Sequence, residues 1–195
     1  MYRRNPRLTG LPDTVYMKHK YSDFFTKSHV TGNGWILNQI FNLNSLYDPD
    51  YTGTGHSPYY YDQMAALYSR YVVYGCKVVV KATMQNASTP GVIMMKSQPD
   101  NTALTALNQG AERPNVVMKQ LNGGAPQVVL SRYYPIHKLF GITKQALLAE
   151  DSYSGVGANP ASMWKLNIIT GLLRIVTGKQ CLLGYTKQLM NWIIT

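Results

Sequence analysis

From Val72 to Met84 the even positions read Val72, Tyr74, Cys76, Val78, Val80, Ala82 and Met84, while the odd ones include Lys77, Lys81 and Thr83. An apolar row on a strict period of two has one local solution. Successive side chains of extended backbone point to opposite faces, so this segment is a strand buried on one side and wet on the other. Such a strand is not stable alone, because its N–H and C=O groups need partners along both edges. The rest of the chain must therefore supply sheet.

It does so repeatedly. The same phase sets Val15, Met17, His19 and Tyr21 against Tyr16, Lys18 and Lys20, and sets Trp164, Leu166 and Ile168 against Lys165 and Asn167. Further strands are predicted at Trp35 to Leu43, Val92 to Ser97, Val116 to Leu121, Val128 to His137 and Leu182 to Ile194, which makes about eight. Turn clusters separate them: Asn33-Gly34, Asp48 to Gly55, Thr89-Pro90-Gly91, Asn122-Gly123-Gly124 and Gly155 to Pro160. One helical period interrupts the pattern, with Tyr61, Met64, Ala65 and Tyr68 at i, i+3, i+4 and i+7. Strands do not alternate with long helices, so a parallel α/β fold is excluded. The expected class is all-β, a single antiparallel sandwich or jelly roll over residues 13–195 with one short helix in a connection. Residues 1–12, with Arg3, Arg4, Pro6, Arg7 and Pro12, are expected to form a short basic arm outside it.

A chain of 195 residues can bury roughly 70% of the surface of its unfolded form, so it needs neither disulfide nor metal to fold. Cys76 and Cys181 lie in apolar segments and are expected to be reduced core thiols, which points to intracellular synthesis. No stretch approaches the ~20 apolar residues of a membrane helix, and no apolar region follows the basic N-terminus as in a secretory signal. Charge is the odd feature. Lys and Arg number 19 against 9 acids, a net +10, yet charged residues are only 14% of the chain, against about 25% in an ordinary soluble domain. The chain is basic through lack of acid, and a surface so poor in charge is expected to be covered in part by neighbours.

Catalytic and metal-binding patterns are missing from the sequence. His19, His29, His56 and His137 are scattered, without the paired spacings that metal sites need. Gly178-Lys179 is followed by Gln180 and lacks the earlier glycine of a phosphate loop, and Gly53-Thr54-Gly55 reaches Pro58 where a dinucleotide fingerprint needs Gly. Asp48, Asp50 and Gly53 resemble the start of a calcium loop, but Tyr59 stands where the bidentate Glu belongs. No enzyme activity, cofactor or metal is expected. What remains is basicity with aromatics: Arg113 to Lys144 carries five bases and no acid, and the 44 residues after Asp151 carry Lys165, Arg174, Lys179 and Lys187 and no acid. A distributed positive field attracts a polyanion without reading its sequence, and Tyr or Trp can stack on unpaired bases.

Three segments together resemble the capsid protein of circular single-stranded DNA viruses of the CRESS, circovirus-like group. They are Asn44 to Val80, with its Tyr-Asp-Gln helix and Ser-Arg-Tyr-x-Val-x-Gly-x-Lys strand opening; Ser131 to Trp164, with Lys138-Leu139-Phe140-Gly141 and Asp151-Ser152-Tyr153; and the closing strands Trp164 to Thr170 and Leu182 to Ile194. The resemblance implies an eight-stranded jelly roll that self-assembles into a small icosahedral shell, most simply of about sixty copies. It further implies packaging of circular single-stranded DNA, location in the virion, and passage through the host nucleus during assembly. No membrane insertion is implied. The family's basic N-terminal segment carries over to Arg3, Arg4 and Arg7, and to Lys18 and Lys20 on the first strand, as nucleic-acid-binding residues. The chain departs from the pattern in having three arginines before Leu8, where family members usually carry a much longer Arg-rich arm. Two other readings stand beside this one: a β-barrel that coats single-stranded nucleic acid without forming shells, and a hydrolase built on Asp48, Asp50, His56 and Asp62.

Overall fold

The computed structural model describes residues 12–28, 36–84, 90–122, 127–149, 153–172 and 185–194. Eight longer strands carry it: β1 (His19–Ser28), β2 (Ile36–Asn42), β4 (Gly75–Met84), β5 (Gly91–Gln98), β6 (Val116–Leu121), β7 (Val128–Pro135), β9 (Lys165–Leu172) and β10 (Tyr185–Ile194). A two-residue pair, β3 (Arg70–Tyr71) with β8 (Ser154–Gly155), ties two of the connections together.

The order of pairing identifies the fold. Outermost strands in sequence pair with each other, β1 with β10 and β2 with β9, and inner ones follow, β4 with β7 and β5 with β6, all antiparallel. This is one long hairpin made of the two halves of the chain. Rolling it up adds the pairs β10–β4 and β5–β9, which closes two four-stranded sheets, β1-β10-β4-β7 and β2-β9-β5-β6. That rolled hairpin is a jelly roll. The core lies between the sheets. Tyr21, Cys76, Val78, Val80, Leu130 and Tyr134 from the first meet Phe41, Ile93, Met95, Leu121, Leu166 and Ile168 from the second in one buried cluster. Each such side chain fully removed from water stabilises by about 1.5–3 kcal/mol.

Several expectations are corrected in detail. His19 and Tyr21 are buried and Lys20 is exposed, in the predicted phase, but β1 starts at His19. Its partner register ends at His19 opposite Ile194, so Val15, Tyr16, Met17 and Lys18 have no described strand to pair with and run exposed ahead of β1. Lys165 and Asn167 were expected on a wet face opposite Leu166 and Ile168, yet all of Lys165 to Gly171 is buried, and so is all of β5. The loop between β5 and β6 explains this by lying across the outside of the second sheet. There Leu104 packs with Val92, Met94 and Ile169, and Leu107 reaches so close to Gly171 that a β-carbon there would stand 2.4 Å from its side chain. Asn38 fixes the loop, donating to the Leu104 carbonyl (3.1 Å) and accepting from the Leu104 N–H (3.2 Å) and Asn167 Nδ2 (3.1 Å). The two central strands of the second sheet, β9 and β5, are thus buried on both faces, while Met118, Lys119 and Gln120 of the edge strand β6 stay exposed.

One helix was expected, and the described residues hold four single turns. The expected one is α1 (Tyr61–Ala65); the others are α2 (Leu107–Ala111), α3 (Ile136–Leu139) and α4 (Lys144–Leu147). Four or five residues are too few to show a helical period. His137, read as strand, lies in α3, since β7 ends where Pro135 brings no N–H to the ladder. Cys76 is a free, fully buried thiol whose pKa burial drives up; Cys181 lies outside the described residues. No helix among the described residues is long and apolar enough to cross a membrane. Of the arm, residues 1–11 lie outside the described residues, and the Pro12 carbonyl accepts from the Tyr68 hydroxyl at 3.1 Å.

Candidate nucleic-acid interface

The first sheet buries one face; on the other, among the described residues, Lys20, Phe24, Thr26, Lys77, Val129, Ser131 and Tyr133 are exposed. The residues of β1, β4 and β7 that alternate with the core set are Lys20, Ser22, Phe24 and Thr26; Lys77, Val79, Lys81 and Thr83; and Val129, Ser131 and Tyr133. Register joins them through β10 into rows that cross the strands: Lys20–Ile193–Lys77–Tyr133, then Ser22–Asn191–Val79–Ser131, then Phe24–Leu189–Lys81–Val129, then Thr26–Lys187–Thr83. None of these positions is acidic. Asp23 is the one acid on these strands; it has the opposite parity on β1, and its Oδ1 accepts from the Phe24 N–H at 2.7 Å. Neighbouring strands are about 4.8 Å apart, so the lysines sit in a field that no carboxylate on the same face cancels.

Large apolar groups share the surface: Phe24 is 61% exposed and Tyr133 47%. Tyr133 is held from behind by Gly75. A β-carbon at Gly75 would come within 2.1 Å of the phenol oxygen and 2.6 Å of the ring, so the absence of a side chain there lets the ring lie across the start of β4. A further cation, Lys144 of α4, lies near Tyr74 and within electrostatic reach of Tyr133. Lys144 Nζ stands 5.5 Å from the Tyr74 ring centroid, and its pKa is raised by a hydrogen bond and charge interaction with Tyr74, with a lesser contribution from Tyr133. Lys144 is therefore a firm cation at neutral pH.

Of the predicted site residues, Lys20 is on this face, Lys18 is exposed just ahead of β1, and Arg3, Arg4 and Arg7 lie outside the described residues. Lys77, Lys81, Tyr133 and Lys144 were not singled out from the sequence as site residues. Their signal was present, since Lys77 and Lys81 occupy the phase opposite the apolar row, but only the register shows that Lys20 belongs beside them. Other cations are committed elsewhere. Arg132 donates to the Asn115 carbonyl (2.8 Å) and side-chain oxygen (3.1 Å) and leans over the Tyr134 ring. Lys165 is buried over Tyr51, and Lys96 is buried with its ammonium on Gln98. Burial holds the pKa of Lys96 below its ordinary value, with the Arg113 charge adding to the effect.

Of the residues considered for catalysis, Asp50 and His56 make local contacts. Asp50 Oδ1 accepts from Gln39 (3.3 Å) and the Thr52 N–H (3.1 Å) and Oδ2 from the Thr52 hydroxyl (2.6 Å), an Asx turn in place of a calcium loop. His56 stacks on Tyr21 and places its two ring nitrogens 2.7 Å from the Ser57 carbonyl and 3.3 Å from that of Ser22. Asp62 is exposed in the first turn of α1. Burial and the Asp50 charge both raise the pKa of Asp48. Among the described residues no three His, Cys, Asp or Glu side chains gather as metal ligands do. A groove of about 570 Å3 runs beside residues 13–17, Tyr61, Tyr68 and Tyr74, but among the described residues that line it Asp13 and Arg70 are the only formal charges.

No family model matches the chain, and no curated protein matches it in sequence. Solved structures do resemble it in the course of the chain. A chain of the Israeli acute paralysis virus particle aligns over 100% of this chain and 80% of its own, at 11% identity and TM-score 0.47. A chain of Mud crab tombus-like virus aligns over 100% and 90%, at 10% identity and TM-score 0.40. One from Desmodium yellow mottle tymovirus aligns over 98% and 95%, at 11% identity and TM-score 0.37.

Proposed function

We propose that this chain is the coat protein of a small virus of the circular single-stranded DNA group. Copies of it assemble into a closed icosahedral shell, most simply of about sixty, and enclose circular single-stranded DNA through contacts that read no sequence. The protein then resides in the virion, and in the host nucleus during assembly. The observation that carries the packaging part is the acid-free outer face of the first sheet, where lysines and exposed aromatic rings share one surface. The three family-like segments and the jelly-roll wind support the shell. Low charge fits as well, because flanks covered by neighbouring copies need little. In this reading the arm, with Arg3, Arg4 and Arg7, and the adjoining Lys18 and Lys20 add to the same internal field. Sixty copies at +10 supply on the order of +600 charges, enough to offset several hundred phosphates at one each.

Electron microscopy and sedimentation of the purified chain test this directly. Closed particles of roughly 15–25 nm that protect DNA from nuclease are expected. A stable monomer at physiological salt and high concentration overturns it. The same lysine-and-aromatic face also suits a protein that coats single strands without closing a shell; salt-sensitive DNA binding with no particle would favour that reading.

A further inference from the structure

The packaging reading leaves open how the lysine-bearing sheet face meets its ligand. Lys20 and Lys77 flank the same β10 position, Ile193, and Tyr133 follows Lys77 in the same row. Three strand intervals of about 4.8 Å span roughly 14 Å, close to four nucleotides at the ~3.4 Å per residue of a stacked strand. At the end of this row the Tyr133 ring lies across Gly75 with 47% of its surface open, and Lys144, held against Tyr74, adds a positive charge near it. Cations beside an aromatic ring backed by bare backbone form an arrangement in which phosphates are held while a base stacks. We propose that a single strand of nucleic acid crosses the sheet along Lys20–Ile193–Lys77–Tyr133, perpendicular to the β-strands. Lys20, Lys77 and Lys144 hold phosphates, and an unpaired base stacks on Tyr133. This rests on the packaging reading and adds a selectivity: the ring prefers single strands, because a paired base has no free face to give.

The experiment uses the full chain and a fluorescent twenty-nucleotide oligothymidine, with a duplex of equal length as the second probe, read by anisotropy across a salt series. Tyr133→Leu is expected to weaken single-strand binding about tenfold and leave duplex binding unchanged. Lys77→Ala is expected to weaken both and to lower the salt slope for the single strand by about 0.7. Lys119→Ala, an exposed lysine on β6, changes neither. Single-strand binding that is unaltered in Tyr133→Leu, or lost equally in Lys119→Ala, overturns the row. Photocrosslinking of a bromodeoxyuridine oligonucleotide to the wild-type chain decides the matter if a variant fails to fold: the crosslink falls on the peptide holding Tyr133, and one confined to other peptides refutes the row. Sedimentation of the same samples separates the two readings. Binding through Tyr133 without particles leaves the row and removes the shell, whereas particles that keep their full contents in both variants leave the shell and remove the row. If Tyr133→Leu alters sedimentation but not oligonucleotide binding, the face is a contact between copies and the row fails.

Discussion

Gly75 and Tyr133 work as one unit. The ring occupies the space that any side chain at position 75 would need, with 2.1 Å between a β-carbon there and the phenol oxygen. Gly75→Ala is therefore expected to expel the ring from the sheet, with a stability loss of about 1–3 kcal/mol from the forced shift, visible as a fall in Tm. The same variant should bind oligothymidine as weakly as Tyr133→Leu, although nothing at position 75 touches DNA. Normal Tm with normal binding would show that the ring has another resting place. At this scale the sequence was legible where a residue answers to its own strand. The phase of Cys76, Val78, Val80 and Ala82 against exposed Lys77 follows from period two alone. It was not legible where a distant segment covers the residue. Lys165 reads as wet from its phase, and it is buried because it finds the Tyr51 ring; Lys96 is buried as well, with Gln98 receiving its ammonium.

That cover belongs to the scale of elements. The loop between β5 and β6 covers the face of β5 and β9 that their pattern would leave wet, and it is fastened by Asn38, which treats Leu104 as a neighbouring strand would. Asn38→Ala leaves the Leu104 N–H, the Leu104 carbonyl and the Asn167 amide short of a partner, at a cost of about 3 kcal/mol. Urea unfolding measures the loss. Hydrogen exchange locates it, because the Leu104 amide should lose protection while amides in β4 and β7 open only with global unfolding. If Leu104 stays protected, apolar packing of Leu104 and Leu107 holds the loop without Asn38. Strand positions were read well from the sequence: β6 matches to the residue, β5 to within one, and β2 and β10 fall within their predicted spans, of which Trp35 and Leu182 to Gly184 lie outside the described residues. The first strand was placed too early, since an alternating segment is a strand only where another offers it a register. Three of the four helical turns left no period to read.

At the scale of the whole molecule the sequence supports a two-sheet antiparallel fold, while the wind of the sheets is settled by which edges meet. That wind brings Lys20 within two strands of Lys77, across 57 positions of chain, and so makes a surface from residues that look unrelated in sequence. It also explains how the core takes up phenols. Tyr21 and Tyr61 are buried, and their pKa values are raised above the ordinary phenol range, by burial first and then by nearby carboxylates among other groups. Burial also raises Tyr71, and pushes Tyr134 up to about 12.

These tyrosines set the alkaline limit of the fold. In the unfolded chain each phenol ionises near pH 10, whereas in the folded protein it keeps its proton to higher pH. Between the two values the folded state holds more protons than the unfolded one, so stability falls as pH rises. The stabilisation from the neutral phenols is complete below about pH 10 and is lost through the window up to about 12 for Tyr134. One such tyrosine gives a slope of about 1.4 kcal/mol per pH unit, and several together should bring cooperative unfolding inside this window. Chemical denaturation at stepped pH should show constant stability from pH 7 to 9 and a steep decline above 10. Tyrosinate absorbance from the buried set, Tyr21, Tyr61, Tyr71 and Tyr134, should rise only with loss of structure. Tyr134→Phe removes one donor from the core and should flatten the decline by about 1.4 kcal/mol per unit while leaving stability at pH 7 within about 1 kcal/mol of wild type. An unchanged slope would mean that Tyr134 ionises in place, with water reaching a hydroxyl that the fold otherwise covers.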